Sequence, residues 1–598
     1  MAEYKHIYNI KSPEYLKDKS IKELEEIASE IRAFIIEKVS TNGGHLSANL
    51  GVVEATIALH YVFDFKHDKL IFDVGHQSYV HKILTGRAKD FDDLRKENGV
   101  SGFPKYSESD YDAFETGHSS TSISAMCGYL EEKKNNPNIG EVVAFIGDGA
   151  FQNGLALSGL NYLASKPNEK GIVIVNDNEM SISKNVGWTA QFFNRLRIKR
   201  SFKLIRKLTT TSFRNAVKSY VYRNFYNFSV FGMTYIGPID GHNLQELINY
   251  FNYAKKSNTS LVLHLKTIKG KGYIPAESDT VGKFHGVGPF DIETGADTKE
   301  YKENEMSFSS AVGLSLDKIL ENKNVKVLTP GMLYGMGLTD LSVKYPDQVI
   351  DIGIAEENAV VMASAMSRCG TIPIVATYST FLQRAYDEIN HDVARSDSHV
   401  VFLVDHAGIV SRDGNTHQGI FDIAILSSLP NVIISEPKDA VELNSLLNLA
   451  ISTPHPFVVR YPKDNVIYTN EEKPLQVGKW IIEKELRNKN ILSYGPVINI
   501  FKEIIEKDNL EIGLINGLFI KPIDDELLRK LDNSTLYIYE DVVGVASLSM
   551  LVKDHVLSNN LNIKVVSVSL SSYPETGTKE EILKALDIEP LEFIKRIK

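Results

Sequence analysis

At 598 residues the chain is too long for one hydrophobic core, and 43% apolar with 24% charged residues marks a globular protein rather than a disordered or fibrous one. A net charge of −10 argues against a dedicated nucleic-acid binder. The only cysteines, Cys127 and Cys369, are too few and too far apart for a disulfide framework or a cysteine zinc site, which fits a reducing compartment.

From the N-terminus, MAEYKHIYNIKSPEY is polar and lacks a signal peptide's apolar stretch. Apolar runs such as Gly171–Val175 have strand length, far below the ~20 residues that span a bilayer, so a cytoplasmic protein is expected. Strand-like runs end repeatedly in small or polar residues: Val142–Ile146 before GDG, Ile172–Val175 before NDN, and Val349–Ile354 before Ala355-Glu356-Glu357. The pattern continues with Ile374–Ala376, Val401–Val404, Val432–Ile434 and Phe457–Val459. Buried runs alternating with amphipathic helical stretches predict parallel α/β sheets, whose ligands bind beyond the carboxyl ends of the strands. Breaks near 286–305 and 469–473 divide the chain into three consecutive α/β domains, 1–303, 304–473 and 474–598. A helical pattern resumes near Ser307, and a strand-rich segment begins near Gln476.

Residues 181–239 hold eleven Lys and Arg and no Asp or Glu. Interleaved aromatics such as Phe202 and Tyr220 leave nucleic-acid binding open there. The competing reading is a solvated insertion, near 186–230, beside an anionic cofactor site, and its place directly after NDN favours that reading.

The chemistry starts at Gly147-Asp148-Gly149, twenty-six residues before Asn176-Asp177-Asn178. Mg²⁺ bound to a diphosphate prefers hard oxygen donors with few protein carboxylates. Asp148 and the Asn178 amide supply two such oxygens, and a backbone carbonyl near Met180 a third. Gly147 and Gly149 let the backbone approach phosphate at a helix N-terminus, where free N–H groups favour anions. Alone, a GDG is more often a structural turn. Two strand-terminal motifs at this spacing point to a metal–diphosphate anchor.

GDG…NDN is the mark of thiamine-diphosphate enzymes, and the surrounding runs resemble the 1-deoxy-D-xylulose-5-phosphate synthase family, relatives of transketolase. The matching stretches in the first half are GGHLSANLGVVEATIALHYVFD (43–64), DVGHQSYVHKILTGR (73–87), ETGHSSTSIS (115–124), NDNEMSIS (176–183) and YIGPIDGH (235–242). The second half adds IAEENAV (354–360), YSTFLQRAYDEINHDVA (378–394), DGNTHQGIFD (413–422) and VRYPK (459–463). The resemblance implies a transketolase-like homodimer of three domains, with an active site that draws on the first two domains of one chain. It implies thiamine diphosphate with Mg²⁺, and the decarboxylative joining of pyruvate to D-glyceraldehyde 3-phosphate. A thiamine enzyme needs a carboxylate on the pyrimidine N1′ so that the 4′-nitrogen can take the thiazolium proton. By resemblance that carboxylate is Glu356; a helix-start acid favoured by the dipole is the alternative. Phe381 would stack on the pyrimidine. His45, His76, His118 and His417 are implied in proton transfer, which suits histidine at neutral pH. Gly117, His118, Ser119, Ala150, Lys269 and His285 join His76 as implied cofactor contacts. Tyr378, Arg384, Asp413 and His417 face substrate, and Arg460 is the matched partner for the acceptor's phosphate, a role suited to a guanidinium fork.

The departures from the family gather at the substrate end. Where relatives carry Arg after the aspartate of DRAGIV, this chain has His406, and Arg412 replaces a small residue before Asp413, so the pair could exchange the lost charge. Asn358, Leu333 and Ser158 stand where His, Arg and Glu are usual, and the glycine loop near the C-terminus shrinks to Glu540–Gly544. A related ketol- or acyloin-forming transferase with another aldehyde acceptor is therefore the alternative activity, and a non-catalytic binding paralogue the outside one.

Overall fold

Continuous apolar runs make strands buried on both faces, and a computed structural model, which describes residues 4–97, 99–178 and 233–598, forms them where expected. Two compact units divide the chain, Met1–Lys299 and Glu300–Lys598. In the first, strands β1 (Lys69–Phe72), β2 (Val142–Gly147), β3 (Gly171–Asp177), β4 (Thr234–Asp240) and β5 (Leu261–Lys266) pair in the order β1-β2-β3-β5-β4, all parallel. The period of two sends alternate residues into different cores. Phe72, Val143, Phe145, Ile172 and Ile174 face one cluster with the helices Ile21–Asn42, Val53–Val62 and Leu244–Lys256. Ile71, Val142, Ala144, Ile146, Val173 and Val175 face another with Ser122–Lys133 and Gly154–Ala164. Truncating one such aromatic, as in Phe145→Ala, costs about 3–5 kcal/mol.

Register then does functional work: Gly147 lies opposite Asn176, so the GDG and NDN motifs meet at the carboxyl ends of adjacent parallel strands. The Asp148 N–H donates to the Asn176 carbonyl at 3.1 Å. The basic stretch near 186–230 and Met180 lie outside the described residues.

The second unit opens with β6 (Glu305–Ser307), and Ser307 caps the helix Phe308–Ile319 by accepting the Ser310 N–H, where the sequence predicts a helix to resume. Its larger sheet is built from β7 (Val325–Thr329), β8 (Val349–Asp351), β9 (Ile372–Tyr378), β10 (Val401–Asp405), β11 (Ile433–Ser435) and β12 (Phe457–Arg460), all parallel. β13 (Asn465–Ile467) pairs antiparallel with β6. A further sheet holds β14 (Ile481–Lys484), β15 (Lys489–Ser493), β16 (Gly513–Asn516), β18 (Thr535–Val543) and β19 (Lys564–Leu570). The short β17 (Phe519–Lys521) leaves that run and adds antiparallel to the edge of the larger sheet, beside β11. One apolar cluster, from Leu328 to Ile563, follows the same crossing.

Candidate active site

In the first unit the loops that follow β1 and β2, and the loop that leads into the helix Ser122–Lys133, are mounted on buried polar groups. Asp73, which follows β1 and is 1% exposed, accepts the Ser120 N–H at 2.6 Å through one oxygen and the Ser122 N–H (3.1 Å) and hydroxyl (2.7 Å) through the other. That carboxylate fixes Gly117-His118-Ser119 beside Val74-Gly75-His76. Gly75 has φ +86°, and a Cβ there would meet Pro104 at 2.5 Å, so the turn requires glycine. The Ser120 hydroxyl donates to the Ala150 carbonyl at 2.8 Å, tying the same loop to GDGA. Fully buried Asn49 donates to the carbonyls of His45 (2.7 Å) and His76 (2.8 Å) while its oxygen accepts the Tyr79 N–H (2.8 Å).

These mounts gather the expected histidines. Ring centroids of His76 and His285 lie 4.9 Å apart, those of His45 and His76 5.7 Å, and those of His45 and His285 6.1 Å. Desolvation, with the Lys269 ammonium adding to it, pulls His76 down to about 3, and its buried Nδ1 has no hydrogen-bond partner in the structure. His76 is therefore neutral at pH 7, with one ring nitrogen left for a ligand. Burial lowers Lys269 to about 8, against the pull of Asp279 and Asp148. Asp148 is buried, and its Oδ1 accepts the Gly149 N–H at 3.1 Å. His118 and Asn178 are half-buried beside these turns. Among the described residues no cluster of three or more His, Cys, Asp and Glu can hold a metal. Asp148 and the Asn178 amide do offer the hard oxygens a diphosphate-bound Mg²⁺ accepts.

The second unit carries the other expected set. Glu356, 4% exposed, opens the helix Glu356–Ser367. Burial raises it to about 7, with Arg384 opposing. Its Oε2 makes no hydrogen bond, and the Arg384 Nη1 stands 3.7 Å away. A buried carboxyl with an unused oxygen and a pKa near neutrality fits a group that shares a proton with a heterocyclic nitrogen, so the residues present suit an aminopyrimidine. Phe381 stacks near Tyr378 (5.8 Å, 13°) and meets the His417 ring edge-on at 5.6 Å. Thr416 Oγ1 lies 2.8 Å from His417 Nδ1.

The acceptor-end residues behave differently. His406, at φ +57°, lays its ring on Tyr378 with centroids 3.9 Å apart, and its Nδ1 sits 2.9 Å from Asp405 Oδ1. Arg412, at φ +67°, donates its N–H to the Gly577 carbonyl at 2.7 Å. Asp413 pairs with Lys463 at 2.5 Å, a cation the sequence reading passes over. Arg460 requires a correction. It is 0% exposed and gives its guanidinium to Asp422 (2.8 and 3.2 Å), Glu436 and the Gly419 carbonyl (3.4 Å). A fork saturated by two acids in the interior has nothing left for a phosphate, so Arg460 is a core anchor. Asn49 and Asp73 were also missed as mounts, although both lie inside matching stretches; their partners are loops that only the fold brings near.

Comparison with known proteins shows which family the chain resembles. Residues 7–267 match the family described as 1-deoxy-D-xylulose-5-phosphate synthase, and residues 304–468 match the transketolase pyrimidine-binding domain. Proteins named 1-deoxy-D-xylulose-5-phosphate synthase from Clostridium acetobutylicum and Clostridium tetani are each 40% identical over 99% of this chain, covering 99% and 98% of their own lengths. The one from Listeria monocytogenes is 43% identical over 88% of this chain and 85% of its own. Among solved structures, a transketolase from Campylobacter jejuni covers 97% of this chain and 100% of its own at 17% identity and a TM-score of 0.42, a likeness too slight to carry an argument.

Proposed function

The chain belongs to the 1-deoxy-D-xylulose-5-phosphate synthase family of transketolase-type transferases, and from this premise we propose how its own residues join pyruvate to D-glyceraldehyde 3-phosphate with loss of CO2. The observation that carries the reading is Glu356, a buried carboxyl raised to about 7, whose Oε2 accepts no hydrogen bond and faces the Arg384 guanidinium at 3.7 Å.

Bound by these residues, thiamine diphosphate supplies the nucleophilic carbon and the electron sink. Asp148 and the Asn178 amide would hold a diphosphate-bound Mg²⁺ through hard oxygen donors, with the backbone carbonyl near Met180, outside the described residues, as the third donor expected from the sequence. Gly147, Gly149 and Ala150 bring backbone close to it, and Lys269 balances its charge. Gly117, His118 and Ser119 line the same loop. Glu356 would share its proton with a pyrimidine nitrogen of the bound cofactor, and Phe381 would give that ring a flat apolar face. His76, neutral at pH 7, accepts or donates a single hydrogen bond rather than adding charge beside Lys269. His45, His118, His285 and His417 orient substrate oxygens and move protons. Tyr378, Arg384 and Asp413 shape the substrate end, where Arg412 supplies the cation for the acceptor's phosphate and His406 narrows the entrance. The chain is read as three domains, 1–303, 304–473 and 474–598; separate sheets in the three segments support this reading, while β17 of the last segment pairs with β11 of the second. A cytoplasmic homodimer completes the reading. Among the described residues no helix is long and apolar enough to cross a membrane.

A second reading, a different aldehyde acceptor, is favoured by one observation: Arg460 is sequestered and His406 is turned onto Asp405, which thins the positive charge at that end. One assay separates the two. Mass spectrometry of products from pyruvate with equal D-glyceraldehyde 3-phosphate and D-glyceraldehyde should show 1-deoxy-D-xylulose 5-phosphate in large excess. Equal use of both aldehydes would transfer the case to the second reading, and no ketose at all would end both.

A further inference from the structure

The stretch YIGPIDGH ends in a histidine to which the reaction assigns no part, yet His242 is held on both ring nitrogens. The Ile268 N–H donates to His242 Nε2 at 2.9 Å, so that nitrogen carries no proton, and Nδ1–H must donate to Glu54 Oε2 at 3.0 Å. Glu54 is 9% exposed, and Arg32 Nη2 contacts both of its oxygens at 2.8 and 3.0 Å. Burial works against its charge, but the bonds from His242 and Arg32 hold its carboxyl below the usual range. The chain His242–Glu54–Arg32 thus ends on the backbone immediately before Lys269.

The far side of the same turn is fixed as well. The Gly270 N–H donates to the Ser47 carbonyl at 2.8 Å, and the Gly272 N–H to Glu277 at 2.6 Å. Gly272 has φ +86°, and a Cβ there would meet the Arg32 side chain at 2.3 Å, so the guanidinium stem lies directly beneath the turn. Ile268 is the one point where the approach to Lys269 leaves the sheet, and His242 grips that point.

We propose that His242, through Glu54 and Arg32, is a positioning residue that sets the place of the Lys269 ammonium and thereby the affinity for the cofactor's diphosphate. The proposal rests on the reading of Lys269 as a diphosphate partner. A bare structural role would lower stability without discriminating between ligands. A positioning role weakens one ligand and is rescued by a side chain that keeps the acceptor.

The test uses full-length H242F, H242Q, K269M and the double variant H242F/K269M. Hydrogen exchange of the 266–273 segment and calorimetric binding of thiamine diphosphate at saturating Mg²⁺ are measured, with the KM for pyruvate as control. H242F should speed exchange and weaken thiamine diphosphate by about ten-fold, the value of one buried hydrogen bond, leaving the pyruvate KM unchanged. H242Q, whose amide oxygen can accept the Ile268 N–H, should recover most of both. The double variant should bind no worse than K269M. If H242F does not fold, R32K tests the same chain, with a smaller loss expected. Wild-type affinity in H242F and R32K, or additive losses in the double variant, would overturn the proposal. Wild-type affinity in K269M would instead remove Lys269 from the diphosphate, while the exchange data still decide whether His242 holds the turn.

Discussion

The loop that follows β1 and the loop that leads into the helix Ser122–Lys133 in the first unit differ from the loop 405–418 in the second, although each carries a histidine of the candidate site. The first are bolted down by side chains that touch no ligand: Asn49 and Asp73, and behind them Asp112, which receives both terminal nitrogens of Arg87 at 2.8 Å and lies 2.9 Å from His81. Each mount satisfies several buried donors at once, so no single side chain nearby can change without exposing an unmet hydrogen bond. The 405–418 loop instead holds two non-glycine residues in the left-handed region, His406 and Arg412, and the Arg412 N–H donates to the Gly577 carbonyl. Chemistry common to a family belongs on the first kind of loop, and choice of acceptor on the second.

Glu356→Ala should break the chemistry most deeply, lowering kcat on the order of 10³-fold, with the fold intact by circular dichroism. Arg460→Met comes next and separates anchor from ligand. It should destabilise the second unit to urea by about 3–5 kcal/mol, because Asp422 and Glu436 lose the buried guanidinium that pairs them. If stability holds while only the acceptor KM rises, Arg460 returns to the substrate.

The pH dependence is smaller. Glu356 is raised from 4.5 to about 7 by burial, so the cofactor-free folded protein keeps its proton where the unfolded chain has lost it. Its contribution is fully present below pH 4.5 and is lost as pH rises through 7, up to about 3 kcal/mol. Glu356→Gln should therefore flatten the fall in stability between pH 5 and 8, and a slope equal to that of the wild type would contradict the raised pKa. Smallest is Arg412→Ala, expected to raise the KM for D-glyceraldehyde 3-phosphate about ten-fold while the pyruvate KM stays put. An equal rise for unphosphorylated glyceraldehyde would show that the loop does not read the phosphate.

Much of the cofactor end is legible in the sequence because it is local: GDG and NDN each end a strand, and one register pairs Gly147 with Asn176. Glu356 is legible from the stretch around it, and its burial, with an Oε2 that accepts no hydrogen bond, then gives it a physical reason. Arg460 was misread because its partners lie 38 and 24 residues away, and a matched arginine looks the same whether it faces a ligand or two acids. His242 stayed without a role because Glu54 is 188 residues upstream. Short β17 could not be foreseen, since nothing in three residues says which sheet they will join.

That small strand bears on how the protein is made. Until β17 leaves the ribosome, β11 shows an open row of backbone donors and acceptors, the kind of border along which nascent chains stick to one another. A product cut at 473 would keep that border permanently and would be expected to aggregate. Synthesis of the second half is thus exposed to misassembly over a defined window, and chaperone demand should fall once Lys521 has emerged.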